Sequence, residues 1–351
     1  MKKIPVSILG ATGMVGQRFV LLLDRHPMFE VVALTGSDRS IGRTYGESCR
    51  WALADPMPEY VRSMVVRPTE PDGESVLAFS ALPADLAREA EPEYARAGKG
   101  ICSNASAFRM EADVPILIPD VNPDHTRLID IQRKNRGWKG FIVTNPNCTS
   151  TGLTMALRPI LDAFGIRRAI AVSMQALSGA GYPGVASLDI LDNVIPNIGG
   201  GEEEKVENEP RKMLGTLADG KIVPAPFILS AHTNRVAVAD GHTVCVSLEL
   251  EKHASPEQVR KALEGYVFPK SVRNLPSLPS KFLEVRQEPD RPQPRRDRNT
   301  GNGMTAVVGR VRPDPVWDIK FVVLSHNTIR GAAGGALLNA ELLAAQNYFD
   351  R

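Results

Sequence analysis

The chain has no apolar run approaching the roughly 20 residues that a membrane-spanning helix needs. It has almost no excess of charge. Its 42 Lys and Arg stand against 40 Asp and Glu, a formal +2, which excludes the basic footprint of a nucleic-acid or anionic-membrane binder. Cysteine is scarce: Cys49, Cys102, Cys148 and Cys245 are scattered, with no C-x-x-C pair and no Cys/His ligand spacing. That pattern excludes a disulfide framework and a structural zinc site, and no metal is expected. Internal repeats and low-complexity tracts are absent. Met1-Lys2-Lys3 runs straight into Ile4-Pro5-Val6-Ser7-Ile8-Leu9-Gly10, too short and too soon interrupted for an export signal. The expected compartment is therefore cytoplasmic, with reduced thiols. At 351 residues, with domains of roughly 100–200 residues each, the length predicts two α/β domains.

What is present starts with glycine. Val6-Ser7-Ile8-Leu9 reads as a core strand, and Gly10-Ala11-Thr12-Gly13-Met14-Val15-Gly16 follows it. Phe19 to Leu23 then reads as a helix and Phe29 to Leu34 as a second strand. Strand, glycine turn, helix and strand within 35 residues is the context in which glycines bring a pyrophosphate to a helix N-terminus. The spacing, G-x-x-G-x-x-G, differs from the commoner G-x-G-x-x-G, and a tight turn without a ligand is the plainer alternative. After the second strand comes Ser37-Asp38-Arg39-Ser40. A guanidinium flanked by hydroxyls suits the ribose 2′-phosphate of NADP, whereas Asp38 is the residue an NAD site would use. Further strand signals lie at Val76–Ser80, Gly100–Asn104, Ile116–Asn122 and Phe141–Val143.

Next comes Asn145-Pro146-Asn147-Cys148-Thr149-Ser150-Thr151-Gly152, between an apolar strand and a helical run. Here a strand ends, a Pro/Asn turn follows, and a cysteine sits where a helix begins. Unpaired amides and the positive end of the helix dipole stabilise a thiolate or an adjacent oxyanion. The alternative is a small buried hydrophobe at a cap. Beyond it the pattern changes. Arg168–Leu177 alternates strongly, and Ile222-Val223, Val236-Ala237-Val238, Val244–Leu250 and Phe321–Leu324 add strand signals. These predict a second, α+β domain on a larger, mainly antiparallel sheet. Arg286 to Asn302 reads as an exposed loop, and the small-residue run from Gly331 as a closing helix. Gly199-Gly200-Gly201-Glu202-Glu203-Glu204-Lys205 reads by itself as a solvated charge run.

Taken together, G-A-T-G-M-V-G from Gly10, S-N-A-S-A-F-R from Ser103, P-N-C-T from Pro146, Gln175, G-E-E-E-K from Gly201, R-V-A-V-A-D-G-H from Arg235 and S-H-N-T-I-R-G-A-A-G from Ser325 make the chain resemble the aspartate-β-semialdehyde dehydrogenases of the archaeal and fungal branch. The match spans nearly the whole chain. It implies a Rossmann-like NADP-binding domain (1–147 with 327–351) and a mixed α+β catalytic and dimerisation domain (148–326), with a C-terminal helix returning to the first. It also implies a nucleophile at Cys148, a general acid/base at His242, and Gln175 orienting the acyl-enzyme. Arg235 would take a substrate α-carboxylate, Glu202 the α-ammonium, and Arg109, Lys205 and Asn147 the phosphate. For the cofactor the resemblance points to Thr12, Gly13, Met14, Val15, Ser37, Arg39 and Ser40, with Ser178, Gly179 and Asn327 near the nicotinamide. Three consecutive glutamates leave the register of Glu202 open by one.

The expected activity is NADP-dependent interconversion of L-aspartyl-4-phosphate and L-aspartate-4-semialdehyde through a cysteine thioester, on the route to lysine, threonine and methionine, in a homodimer or homotetramer. Hydride attacks a thioester and not a stable carboxylate, so a soft nucleophile is needed. Three alternatives stand beside this reading. A malonyl-CoA reductase of the same fold has no ammonium for Glu202 to bind. An N-acylglutamyl-phosphate reductase has its amine acylated. A nucleotide-binding regulatory or scaffold protein would not need the intact Cys148, Gln175, Arg235 and His242.

Overall fold

The computed structural model describes residues 2–349. Ile4–Leu9 lies inside a six-stranded sheet, parallel throughout, with spatial order Val66–Arg67, Phe29–Thr35, Ile4–Leu9, Leu77–Ser80, Gly100–Ser103 and Phe141–Thr144. Leu77–Ser80, Gly100–Ser103 and Phe141–Thr144 are buried at every residue, as sheets covered on both faces require. Strand order reverses between Ile4–Leu9 and Leu77–Ser80, and in open sheets the ligand crevice lies outside the carboxyl ends of the strands at that point. The glycine turn opens into the helix Met14–Leu23. A Cβ at Gly16 would stand 2.6 Å from the Ala11 Cα, so the helix lies this close to the strand only because residue 16 has none.

The second sheet has seven strands in the order Leu283–Val285, Ala306–Pro313, Ile319–Ser325, His242–Leu250, Ile166–Gln175, Ile228–Arg235 and Ile195–Pro196. It is mixed, with parallel pairing at Leu283–Val285/Ala306–Pro313 and at Ile166–Gln175/Ile228–Arg235. One face packs on the helix Cys148–Phe164 and its neighbours, burying Leu153, Leu157, Ala171, Val246 and Phe321 in one core. On the other, Ile170, Ile228, His232 and Cys245 are exposed. The edge amides of Ala231 and Thr233 are not left open: they donate to Glu207 Oε1 and Glu203 Oε1, 3.0 Å each, from the helix Glu202–Met213. Capping an edge in this way keeps it from pairing with a foreign strand.

The closing helix, Gly334–Ala345, returns to the first sheet, where Ala336, Leu337, Ala340 and Leu343 join its core. Several details differ from the sequence reading. The strand expected at Val236–Val238 is instead Ile228–Arg235, whose inward face (Leu229, Ala231, Thr233, Arg235) is too small and polar to show as an apolar alternation. Ile222-Val223 belongs to a separate two-stranded ribbon with Thr216–Ala218. Around Ile116 only an isolated bridge to Thr144 forms. Ala306–Pro313 is a full strand that the reading passed over. Nor is Arg286 to Asn302 simply exposed. Asp297 is fully buried there and accepts from Arg291 and, at 2.6 Å, from the Gln293 amide.

Asp120 and Arg330, 0% and 1% exposed, form an ion pair between the 116–122 loop and the segment leading into the closing helix. Removing one partner of such a pair strands a buried charge. Asp120→Ala is expected to cost about 3–5 kcal/mol of unfolding free energy in denaturant titrations. The double replacement Asp120→Leu/Arg330→Met is expected to recover most of that loss. Equal destabilisation of both variants would show that the pair is not what holds this junction.

Candidate active site

The site forms where one end of the second sheet meets the N-terminus of Cys148–Phe164. Ile166–Gln175 and Ile228–Arg235 run parallel with Arg235 opposite Gln175, so both side chains emerge at the same end. His242–Leu250 runs the other way, with His242 opposite Ser325. Its first residue therefore arrives where the parallel strands finish.

Asn147 is the cap of the cysteine helix. Its Oδ1 accepts from the Thr149 and Ser150 amides at 2.8 and 3.2 Å, a standard way to satisfy helix-start donors. Its Nδ2 donates to Glu202 Oε1 at 2.6 Å, and its backbone N–H donates to Glu209 Oε2 at 2.5 Å. The phosphate contact expected of Asn147 is thus reduced to one remaining amide hydrogen. Cys148 follows, half-buried, with Sγ 3.1 Å from His242 Nε2. A Cβ at position 331 would stand 2.8 Å from the Cys148 Cβ, so Gly331 is what lets the closing segment approach the sulfur's own backbone.

His242 is 1% exposed, and its Nδ1 accepts from the Ala176 amide at 3.0 Å. A backbone N–H only donates, so the neutral ring carries its proton on Nε2, facing the sulfur. Burial, then the Arg235 guanidinium, then His326 push this imidazole down to about 3. Burial and the Glu202 carboxylate push the Cys148 thiol up to about 12, against the opposing pull of Arg109, Arg235 and the Thr149 amide. The resting pair is therefore a thiol beside a neutral ring.

Around the sulfur the charged residues are tightly held. Arg109 donates Nε to Asn145 O at 2.8 Å, Nη2 to Asn104 O at 2.7 Å and Nη1 to Glu209 Oε1 at 3.0 Å. Arg235 donates Nη1 to Ala176 O at 2.7 Å, while its buried Nε has no partner among the described residues. Glu202 Oε1 also accepts from Gln175 Nε2 at 3.2 Å, and its Oε2 lies 3.6 Å from Lys205 Nζ. Glu203 caps the sheet edge and Glu204 is exposed, whereas Glu202 is the one of the three that contacts Asn147 and Gln175.

Glu209 and Lys212 were not read from the sequence. Lys212 gives three hydrogen bonds, to the carbonyls of Arg109, Glu111 and Val114 at 2.7–2.8 Å. With Glu202 and Lys205 they recur at helical spacing on one face, a periodicity hidden because every member is charged.

Toward the crevice, Asn327 Nδ2 donates to Ser178 Oγ at 2.8 Å and its Oδ1 accepts from the Gly241 amide at 2.9 Å. Gly179 lies against Arg235 and His242. Gly13 caps Met14–Leu23 without a side-chain bond, and the first turn has no acid. Its leading amides, around Thr12, Met14 and Val15, suit an anion. Ser37 and Arg39 are exposed, and Arg39 makes no ion pair among the described residues. Ser40, by contrast, turns inward and spends its hydroxyl on Ser37 O at 2.8 Å, so it shapes this loop. These residues fit a dinucleotide bearing a 2′-phosphate.

A cysteine and a histidine at a helix N-terminus, beside a nucleotide crevice, define a cysteine-dependent dehydrogenase, and the comparisons narrow the class to semialdehyde dehydrogenases. Residues 5–129 match the semialdehyde dehydrogenase NAD binding domain, and residues 157–330 match the semialdehyde dehydrogenase dimerisation domain. Aspartate-semialdehyde dehydrogenase of Archaeoglobus fulgidus is 51% identical over 96% of this chain and 97% of its own. The Saccharomyces cerevisiae enzyme is 44% identical over 99% of both. The crystal structure of the Candida albicans enzyme with NADP superposes at a TM-score of 0.90, with 41% identity over 98% of this chain and 99% of that one. The chain belongs to the aspartate-semialdehyde dehydrogenase family. These relatives do not favour the acyl-CoA reductase reading. Among the described residues, no helix is long and apolar enough to cross a membrane.

Because the thiol titrates upward, its thiolate fraction is small at neutral pH and grows with each unit of alkalinity. Without ligands, iodoacetamide labelling of the Cys148 peptide is expected to accelerate throughout pH 7–10. Glu202→Gln, which removes the nearest negative charge, is expected to speed labelling at fixed pH. A rate already level above pH 7 would contradict the raised thiol.

Proposed function

We propose that the chain reduces the acyl phosphate of an aspartyl substrate to the semialdehyde with NADPH, releasing phosphate, through a thioester on Cys148. The observation that carries this reading is the 3.1 Å approach of Cys148 Sγ to His242 Nε2 at the start of a capped helix. The names of the relatives support the substrate, and the NADP complex of the Candida enzyme supports the cofactor. The Vibrio cholerae aspartate semialdehyde dehydrogenase II structure complexed with ASA, 27% identical with a TM-score of 0.78, supports the substrate as well.

Arg235 takes the substrate α-carboxylate, for which its unpartnered Nε and remaining Nη hydrogens form a fork. Glu202 takes the α-ammonium. Arg109, held on three sides with two N–H groups to spare, takes the phosphate with Lys205. Gln175, tethered to Glu202, orients the acyl group. The crevice residues Thr12, Gly13, Met14, Val15, Ser37 and Arg39 hold the cofactor's phosphates, and Ser178, Gly179 and Asn327 flank its nicotinamide. When bound, this cofactor supplies the hydride.

The separation of the strands into two sheets supports a division into 1–147 with 327–351 and 148–326. The assembly is a homodimer, or a homotetramer built from dimers, in the cytoplasm. The exposed face on which Ile170 and Ile228 stand among Arg168, Ser230 and His232 supports a second copy there, since large apolar side chains on an open sheet face favour a partner.

Glu202→Gln separates this reading from an acyl-CoA reductase. Glutamine still accepts from Asn147 and Gln175 but has no charge for an ammonium. We expect kcat/KM for aspartate semialdehyde with phosphate to fall by an amount on the order of 2–4 kcal/mol, while any turnover of a malonyl thioester is spared. A wild type that prefers the thioester, with a Glu202→Gln variant indifferent to substrate, would overturn the proposal.

A further inference from the structure

Glu209 is the buried charge near the sulfur to which the reaction above gives no task. It lies on the helix Glu202–Met213, on the face that also carries Glu202 and Lys205. Its Oε1 accepts Arg109 Nη1 at 3.0 Å, and its Oε2 accepts the Asn147 amide at 2.5 Å. Burial pushes this carboxyl up, and the two donors, one on each oxygen, oppose that shift. One turn further along, Lys212 gives its hydrogens to the carbonyls of Arg109, Glu111 and Val114. Both the guanidinium and the backbone of Arg109 are thus held from a single helix face.

Two consequences follow for a phosphate on Arg109. The first concerns position. A carboxylate accepts both donors at once, whereas an amide in its place accepts one and sets its NH₂ against the other. The second concerns charge. The side chains of Arg109 and Glu209 are 8% and 1% exposed, so the guanidinium offered to phosphate already faces a fixed counter-charge, little screened by water. Phosphate must be held while Cys148 displaces it and must then leave. Without Glu209, Arg109 and Lys205 would together hold it more firmly.

We propose that Glu209 is a positioning residue for phosphate. Its reach to Arg109 and Asn147 fixes the guanidinium against the turn before Cys148, and its charge loosens phosphate enough for release. It acts through those two residues, and the proposal rests on the acyl-phosphate reading above, in which Arg109 takes the phosphate.

Two substitutions separate reach from charge. Glu209→Gln keeps the length and removes the charge. Glu209→Asp keeps the charge but is one methylene too short to bridge both donors. Binding of inorganic phosphate to the full-length, NADP-loaded enzyme is measured by calorimetry, and kcat and KM are measured for semialdehyde oxidation with phosphate. Glu209→Gln is expected to bind phosphate about 5-fold or more tighter than the wild type, because a like charge has gone. Its kcat is expected to fall by about 10- to 100-fold, as misplaced reacting groups do. Glu209→Asp is expected to lose a similar share of kcat while its phosphate affinity stays within about 2-fold of the wild type. KM for NADP should be unchanged in both, whereas a loosened fold would weaken every ligand.

Unchanged, weaker or absent phosphate binding in Glu209→Gln overturns the proposal. So does an unchanged kcat in both variants, or a uniform weakening of phosphate, semialdehyde and NADP. Failure of the acyl-phosphate reading appears in the wild type instead, as semialdehyde oxidation at full rate without phosphate. The calorimetric comparison would then still decide the role of Glu209.

Discussion

Asn147 is the point on which the site depends. Its side-chain oxygen starts the cysteine helix, its side-chain nitrogen holds Glu202, and its backbone N–H is held by Glu209. One residue thereby fixes the helix dipole, the sulfur and the nearest carboxylate relative to one another. Catalytic geometry needs this tolerance, since an error of about 1 Å in placing reacting groups can cost 10²-fold in rate. Arg109 is tied into the same unit through Glu209, so the group proposed for the phosphate and the cap of the nucleophile's helix share one buried carboxylate.

That arrangement is built from charges, and burying them is costly unless each is paired. Glu209 is buried between Arg109 and the Asn147 amide. Lys212, also buried, uses all three ammonium hydrogens on carbonyls of the 109–114 loop. The helix Glu202–Met213 is therefore a connector. One stripe (Glu202, Lys205, Glu209, Lys212) faces the site and the nucleotide-binding half, and Glu203 with Glu207 faces the sheet edge. Arg235 stands apart from this stripe, with a buried Nε that has no partner among the described residues. A group left unpaired inside an otherwise satisfied network is where a ligand's own charge has most to contribute.

Much of this was legible in the sequence. Gly10 to Gly13 turn from a strand into a helix that carries Gly16 in its first turn, as their spacing implied, and Cys148 is the first residue of its helix. Both signals are local: a glycine turn or a cap is written in a few adjacent residues. The parts that were hidden depend on distant ones. Ile228–Arg235 buries Ala231 and Thr233, small or polar residues that match a strand only once the Glu202–Met213 helix covers its edge. Asp297 lies in a segment that looks solvated, and only its arginines and the Gln293 amide make its burial tolerable. Ala176 contributes through its backbone N–H, which no side-chain pattern can announce.

The central claim is that substrate carbon becomes bonded to Cys148 before hydride arrives. It is tested most directly by mixing the enzyme with L-aspartyl-4-phosphate without NADPH, quenching in acid and weighing the Cys148 peptide. The account predicts one aspartyl adduct on that peptide, formed with release of one phosphate and discharged to the semialdehyde when NADPH is added. It predicts no adduct in Cys148→Ser. Turnover at full rate with no adduct on Cys148, or an adduct that NADPH fails to discharge, would contradict it.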